Sequence, residues 1–287
     1  MPRFAYVSGR YVAHHEAAVH VEDRGYQFAD GVYEVVTIHG GRLVDMDPHL
    51  DRLDRSLGEL RIRWPMSRRA LKLVMRELIE RNRVRDGIIY LQVTRGVAPR
   101  EHAFPDGCAP QLVMTTKVMK PQSPQMVEDG VKVITVPDIR WQRCDIKSIS
   151  LLPNCLAKQQ AIDGGAYEAW QVDADGQVTE GSSTNAWIVT KDGKLITRNV
   201  NSAILNGITR LALIRIARAE GVELEERAFT VDEARAAREA FITSSTSFVL
   251  PVTKVDEQVL GNGKSGSLTL RLRGHYMDYM AGKRDPA

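Results

Sequence analysis

Two short stretches of this chain carry residue types that suit one chemistry. Cys144-Asp145-Ile146-Lys147-Ser148 sets a lysine among small and apolar neighbours, and Val178-Thr179-Glu180-Gly181-Ser182-Ser183 sets a carboxylate between a β-rich run and a Gly/Ser turn. A lysine amine condenses with an aldehyde to a Schiff base. A carboxylate keeps a pyridine nitrogen protonated and makes the ring a better electron sink. Pyridoxal phosphate (PLP) needs both groups, on opposite sides of one ring. Taken singly, Lys147 and Glu180 are ordinary solvated charges; the pairing is what points to an enzyme. Cys144 has no histidine partner nearby and reads as a small packing residue.

Other stretches suit the rest of such a ligand. In Asn206-Gly207-Ile208-Thr209-Arg210 a glycine precedes a helix start. The backbone N–H groups of Ile208 and Thr209, with the helix dipole behind them, are suited to phosphate. Alone, the motif is also a simple cap. Thr243-Ser244-Ser245-Thr246-Ser247 offers hydroxyls after the apolar Phe241-Ile242, or is a plain polar turn. Arg52 is either a surface arginine or a guanidinium placed to meet a phosphate bidentately. In Arg95-Gly96-Val97-Ala98-Pro99-Arg100-Glu101-His102, Arg100 and His102 stand two apart in a loop. They can clamp a carboxylate, or belong to a solvated basic loop.

These residues must be held by a mixed set of strands and helices. Tyr6-Val7 and Tyr11-Val12 flank a Ser8-Gly9 turn and read as an opening hairpin. Residues 31–38 are β-rich and end at His39-Gly40-Gly41. Asp47 is expected to cap a helix with Pro48 at its first position, and Leu50, Leu53, Leu57 and Leu60 give that helix one apolar face. Ser67 is expected to cap another, with Leu71, Val74, Met75, Leu78 and Ile79 facing inward. Residues 88–94, 111–116 and 131–136 read as strands. A helix through 156–162 is expected to end at Gly164-Gly165. Two hairpins turn at Asp175-Gly176 and Asp192-Gly193. A helix over 208–220 stops at Gly221, and its first residues are the candidate phosphate site.

The chain has 287 residues, enough for two domains of about 120 to 165 residues each. Met119-Lys120-Pro121-Gln122-Ser123-Pro124-Gln125 has the composition of an extended connection. It divides an expected N-terminal domain over 1–118 from a larger one over 126–287. Hydrophobic residues make up 43% and charged residues 26%, an ordinary globular balance. The formal net charge of +3 is too small to argue for a nucleic-acid partner, and the arginines of 61–69 and 81–85 read as solvated helix faces. Three cysteines without metal-ligand spacing suggest reduced thiols, no metal site and a cytoplasmic setting. No apolar signal core opens the chain and no run reaches the length of a membrane span.

Four blocks in order, residues 23–36 (Asp-Arg-Gly-Tyr-Gln-Phe-Ala-Asp-Gly-Val-Tyr-Glu-Val-Val), 49–53, 138–148 and 179–183, resemble the class IV PLP-dependent aminotransferases, and within them the bacterial D-amino acid aminotransferase group. The resemblance is spread over most of the chain. It implies the two-domain, mixed α and β architecture of PLP fold type IV, with the cofactor in the interdomain cleft. It implies that Lys147 forms the Schiff base and that Glu180 meets the pyridine nitrogen. Arg52, the backbone of Ile208 and Thr209, and the hydroxyls of Ser244 and Ser245 match the phosphate cup. Leu205 matches a residue lying against the ring. Tyr33, Arg100 and His102 match the trap for the substrate carboxylate, with Arg100 and His102 entering from the neighbouring subunit of a homodimer. The implied reaction moves the amino group of a D-amino acid, of the D-alanine type, to a 2-oxo acid such as 2-oxoglutarate. L-branched-chain and (R)-amine transaminases share the machinery with another carboxylate pocket, and aminodeoxychorismate lyases share the fold. The Arg-x-His pair argues for the first reading. Two departures stand out: Glu101 lies between the clamp residues where a small residue is usual, and Ser245 replaces a threonine.

Overall fold

The computed structural model describes residues 2–284. The chain separates into two units, Met1–Lys120 with Ile146–Ser150, and Pro121–Asp145 with Leu151–Ala287. The break after Lys120 falls within the stretch 119–125. Ile146–Ser150 interrupts the expected C-terminal stretch 126–287 by packing with the first unit.

The first unit is built on one antiparallel sheet. Its elements are β1 (Phe4–Val7), β2 (Arg10–Ala13), a short helix α1 (Arg24–Phe28), β3 (Gly31–His39), β4 (Arg42–Leu43), helices α2 (Met46–Glu59) and α3 (Arg68–Asn82), β5 (Gly87–Thr94) and β6 (Gln111–Val118). The strand order is β2-β1-β6-β5-β3-β4. Strand side chains alternate between faces. In β5, Ile89, Leu91 and Val93 are buried in the core while Tyr90 and Gln92 lie on the other face. In β3, Val32 and Val36 join that core, packing with Leu50, Leu53 and Leu57 of α2 and Leu71, Met75 and Leu78 of α3. Helix α2 begins two residues earlier than the Asp47-Pro48 pair suggests. Asp45, at φ 53, is its N-cap and makes no side-chain capping bond. Asp47 sits inside the first turn and pairs with Lys72 of α3. Ser67 does cap α3, its hydroxyl accepting from the N–H of Ala70.

Residues 146–150 return beside β3. The N–H of Tyr33 donates to the carbonyl of Lys147 at 3.0 Å, and the N–H of Ile149 donates to the carbonyl of Gly31 at 3.1 Å. An antiparallel bridge joins Val32 to Ser148, and Ile146 is buried in the first core. Only a glycine fits at position 31, since a Cβ there would stand 2.7 Å from the carbonyl oxygen of Val93.

The second unit holds a larger mixed sheet. It comprises α4 (Pro124–Asp129), β7 (Val131–Pro137), α5 (Leu152–Asp163), β8 (Glu168–Val172), β9 (Val178–Gly181), β10 (Asn185–Val189), β11 (Leu195–Thr197), α6 (Ile208–Ala219), β12 (Leu224–Glu226), α7 (Val231–Ala236), β13 (Glu239–Ser244), β14 (Phe248–Val255), β15 (Gln258–Val259) and α8 (Ser267–Met280). The strand order is β12-β11-β10-β13-β14-β7-β8-β9, with β15 on β14. β14, β7 and β8 run parallel, and β8 and β9 form the hairpin around Asp175-Gly176. Trp170, Val178, Ile188, Ile196, Phe229, Ile242 and Leu250 fill its main core. Among the described residues, no helix is long and apolar enough to cross a membrane.

Candidate active site

The first unit places a lysine over an aromatic ring. Tyr33 and Glu34 are neighbours in β3 and therefore point to opposite faces. Tyr33 joins the face of Tyr90, with the two rings 5.6 Å apart. The amine of Lys147 lies over the Tyr33 ring, 4.1 Å from its centroid. The lysine backbone is held from both sides: its carbonyl accepts from Tyr33, and its N–H donates to Ser56 Oγ of α2 at 3.3 Å. Burial, with Tyr33 alongside, pushes the Tyr90 phenol well above its ordinary value. Tyr90 Oη donates to Gln92 Oε1 at 2.7 Å, so this face keeps a neutral, hydrogen-bonded hydroxyl.

Glu34 faces α2 and is fully buried. Arg52 grips it bidentately, Nε to Oε1 at 2.8 Å and Nη2 to Oε2 at 2.7 Å, and His49 Nδ1 adds a 2.7 Å contact. Burial alone would raise the carboxyl, but Arg52 and His49 win and hold Glu34 down at about 2. Burial pushes His49 below its ordinary value, with Glu34 pulling the other way. Arg52, whose guanidinium is expected to meet a phosphate, thus commits its Nε–Nη2 edge to Glu34.

Arg100 and His102 lie in the exposed loop between β5 and β6. Both approach Phe28 of α1: the Arg100 guanidinium is 4.5 Å from the ring centroid and the His102 ring 5.4 Å. The loop is anchored by residues whose arginines do structural work. Buried Arg95 grips Asp30 at 2.7 and 3.0 Å and donates to the carbonyls of Leu60 and Arg61. Buried Arg24 also bonds Asp30 and reaches the carbonyls of Glu101 and His102.

The second unit organises a carboxylate around two residues to which sequence reasoning gave no role, Arg140 and Asn185. Glu180 sits near the end of β9, nearly buried. Its Oε1 accepts from Arg140 Nη1, and its Oε2 accepts from Asn185 Nδ2 at 3.2 Å and from the backbone N–H of Leu205 at 3.1 Å. Burial would lower Arg140, but its hydrogen bonds to Asp138 and the charge of Glu180 hold it well above the ordinary arginine value. Asp138 takes the Arg140 guanidinium by two bonds, 2.9 and 2.6 Å, and accepts from Thr179 Oγ1 at 2.8 Å. The carboxylate of Glu180 therefore faces a fixed positive charge. Nearby, burial pushes the Cys144 thiol up to about 11, which suits a packing residue and no nucleophile.

Asn185 draws the other pieces together. Its Nδ2 also donates to the carbonyl of Leu205 at 2.9 Å, and its backbone pairs with Thr243 of β13. Its Oδ1 lies so close to Gly207 that a Cβ there would stand 2.1 Å away. Gly207 is the N-cap of α6, and no side chain caps that helix. Ile208 and Thr209 form its first turn, with Thr209 Oγ1 3.4 Å from Tyr276 Oη. Of the five consecutive hydroxyl residues, Thr243 turns into the core to accept from Trp187 Nε1 at 2.9 Å. Ser244 ends β13 and accepts from the N–H of Ser247 at 3.0 Å, and Ser245 opens the turn. An asparagine heading the apolar run Asn185-Ala186-Trp187-Ile188-Val189 was the available signal for this hub.

The first unit thus offers an amine over an aromatic face, and the second offers a carboxylate beside a fixed arginine and an uncapped helix start. The chain is 46% identical over 263 residues to the D-alanine aminotransferase of Bacillus licheniformis, spanning 91% of this chain and 92% of the relative. It is 40% identical to the D-alanine aminotransferase of Listeria monocytogenes serotype 4b (strain F2365), over 95% and 94% of the two chains. The crystal structure of the T.th. branched-chain amino acid aminotransferase with pyridoxamine 5'-phosphate superposes with a TM-score of 0.91 at 26% identity, covering 99% of this chain and 96% of that one. The family profile described as amino-transferase class IV matches residues 31–255, from the start of β3 to the end of β14. That span takes in Tyr33, Lys147, Glu180 and the start of α6, and the chain belongs to the class IV aminotransferases.

Proposed function

We propose that this aminotransferase takes the amino group from a D-amino acid of the D-alanine type and passes it to a 2-oxo acid such as 2-oxoglutarate, with PLP as cofactor. The observation that carries the substrate is the 46% identity, over 91% of the chain, to a D-alanine aminotransferase. The groups described above support the cofactor, as does the pyridoxamine 5'-phosphate named with the T.th. enzyme. When bound, PLP supplies an aldehyde that takes up amines and a ring that accommodates the electron pair left at the substrate Cα. Lys147 Nζ is the group that holds the cofactor and moves the Cα proton. Glu180 would meet the ring nitrogen, with Arg140 donating to its Oε1. The amides of Ile208 and Thr209 and the hydroxyls of Ser244 and Ser245 take the phosphate, and the side chain of Leu205 packs on the ring. Arg52 contributes charge, its Nε–Nη2 edge being committed to Glu34.

Tyr33, Arg100 and His102 are proposed to hold the substrate carboxylate, with Arg100 and His102 serving the neighbouring subunit's site in a homodimer. The loop that carries them also exposes Val97 and Phe104, apolar surface of the kind a partner covers. The free thiols Cys108, Cys144 and Cys155 support a cytoplasmic setting.

The 0.91 TM-score with a branched-chain aminotransferase favours a second reading, transamination of L-branched-chain amino acids. A coupled assay separates the two. PLP-loaded protein is given D-alanine, L-alanine or L-leucine with 2-oxoglutarate, and keto-acid and glutamate formation are followed. D-alanine is expected to be the substrate with by far the highest kcat/KM. Faster turnover of L-leucine would replace the first reading by the second.

A further inference from the structure

Glu168 is a carboxylate that the proposed chemistry does not use. It opens β8, is fully buried, and none of the ion pairs among the described residues includes it. Its charge is instead surrounded by neutral donors. Oε1 accepts from the N–H of Ala169 at 2.8 Å, the N–H of Ser182 at 3.2 Å and the hydroxyl of Ser182. Oε2 accepts from the N–H of Ser183 at 3.3 Å, its hydroxyl at 3.2 Å and Thr184 Oγ1 at 3.2 Å. A carboxylate offers about four lone-pair sites, so six donors saturate it. Five of the six come from Ser182, Ser183 and Thr184, in the turn that follows Glu180 at the end of β9.

Other groups close the same turn. Ser182 N–H also donates to the carbonyl of Ala169 at 2.9 Å. Asn154 Nδ2 reaches the carbonyl of Ser182 at 2.8 Å, and Gln171 Nε2 that of Gly181 at 3.2 Å. The turn wraps tightly enough that a Cβ at Gly181 would lie 3.2 Å from Glu168 Cδ and 2.1 Å from Thr184 Oγ1. Turns of this kind are normally solvated and mobile; this one is built around a buried anion. It joins Glu180 to Asn185, which itself bonds the Glu180 carboxylate. Both ends of the Glu180 contact therefore depend on where the turn sits.

We propose that Glu168 is a positioning residue: it locks the 181–184 turn and thereby sets the direction of the Glu180 carboxylate toward the cofactor's ring nitrogen. This deepens the proposed function and rests on it. The charge, and not just the shape, is needed. Glutamine is isosteric, but its amide NH2 can replace only one oxygen. Turned one way it faces the N–H groups of Ala169 and Ser182; turned the other it faces that of Ser183. Hydroxyls can rotate to accommodate a donor, while backbone N–H groups cannot.

The test compares wild type, Glu168→Gln, Glu168→Asp and Ser183→Ala as PLP-loaded and PLP-free proteins. Misplacement of a reacting contact by about 1 Å costs on the order of a hundredfold, so Glu168→Gln is expected to lower kcat for D-alanine by between about ten- and a hundredfold, with KM changed far less. The pH titration of the bound cofactor's visible absorption should shift, because it reports the ring environment. In the PLP-free protein, amide hydrogen exchange at 181–184 should speed up. Glu168→Asp should restore part of kcat and of the titration, and Ser183→Ala, which removes one hydroxyl donor, should shift both slightly in the same direction. Should Glu168→Gln fold poorly, Ser183→Ala and Glu168→Asp still report. Wild-type kcat and titration in all three variants would overturn the proposal. So would variants that lose only thermal stability while kcat and the titration stay put, since that marks a purely structural carboxylate. A wild-type protein that shows no cofactor band would instead remove the proposed function itself.

Discussion

At the scale of single residues, one strand sends two neighbouring side chains to different tasks. Tyr33 underlies the Lys147 amine, while Glu34, on the reverse face, ties Arg52 and His49 into a buried cluster. Lys147→Ala should abolish steady-state transamination, because Lys147 is the group proposed to move the Cα proton. Retained wild-type turnover would show that the lysine has been misassigned. Glu34 leads to a pH prediction. Its folded pKa is depressed, from 4.5 to about 2. The stability it contributes is therefore present above pH 4.5 and is lost as pH falls toward 2. A shift of this size corresponds to about 3 kcal/mol. His49 acts in the same direction: its folded pKa lies below the ordinary value, so protonating it as pH drops also destabilises the fold. In Glu34→Gln, denaturant unfolding between pH 5 and pH 2 should show a flatter decline than wild type, from a lower starting stability (about 3–5 kcal/mol lower, because Arg52 loses its partner). Parallel stability profiles for the two proteins would refute the assignment.

At the scale of elements, the C-terminal half positions its polar groups by close approach between element ends. The last residues of β9, the first of β10 and the N-cap of α6 meet at Asn185. Gly207 has an ordinary φ of −66, so it is there for space and not for backbone freedom. Gly207→Ala would drive a methyl into Asn185 Oδ1 and push that side chain off Glu180 and Leu205. Overpacking of this kind costs about 1–3 kcal/mol, and cofactor affinity should fall roughly tenfold or more. A fluorescence titration of the PLP-free protein with PLP measures this, and an unchanged Kd would detach Asn185 from the cofactor. By contrast α3 is set by its own cap, and Ser67→Ala should cost about 1 kcal/mol of stability without touching Kd.

For the whole molecule, the prediction concerns assembly. If Arg100 and His102 complete the neighbour's site, neither Lys147→Ala nor Arg100→Ala homodimers should turn over D-alanine well. Losing the Arg100 contact costs about 1.5–3 kcal/mol, or roughly ten- to a hundredfold in kcat/KM. When the two variants are unfolded, mixed and refolded, a hybrid dimer regains one site with both Lys147 and Arg100. Statistical mixing in a twofold dimer then returns roughly a quarter of wild-type activity. Failure to recover any activity, with sedimentation showing hybrid dimers, would place the clamp within its own subunit or dismiss it.

The amino-acid sequence by itself determined what local periodicity and local chemistry encode. Alternation in β3 and β5, the leucine face of α2, the Ser67 cap and the Asp-Gly turns all follow from residues a few positions apart. The pairing of Lys147 with Glu180 suggested a chemistry, and the four matching blocks carried the family, which the profile over residues 31–255 shows. Tertiary structure alone decided the rest. Ile146–Ser150 crosses back to pair with β3, which no local pattern signals, since the pairing joins residues more than a hundred positions apart. It decided that Asp45 and not Asp47 heads α2, because the chain enters the helix from a left-handed turn. It gave Arg52 to Glu34, Arg140 to Glu180 and Glu168 to the serine turn. Each of these is a buried charge, and a buried charge is tolerated only beside the particular partners that folding brings to it.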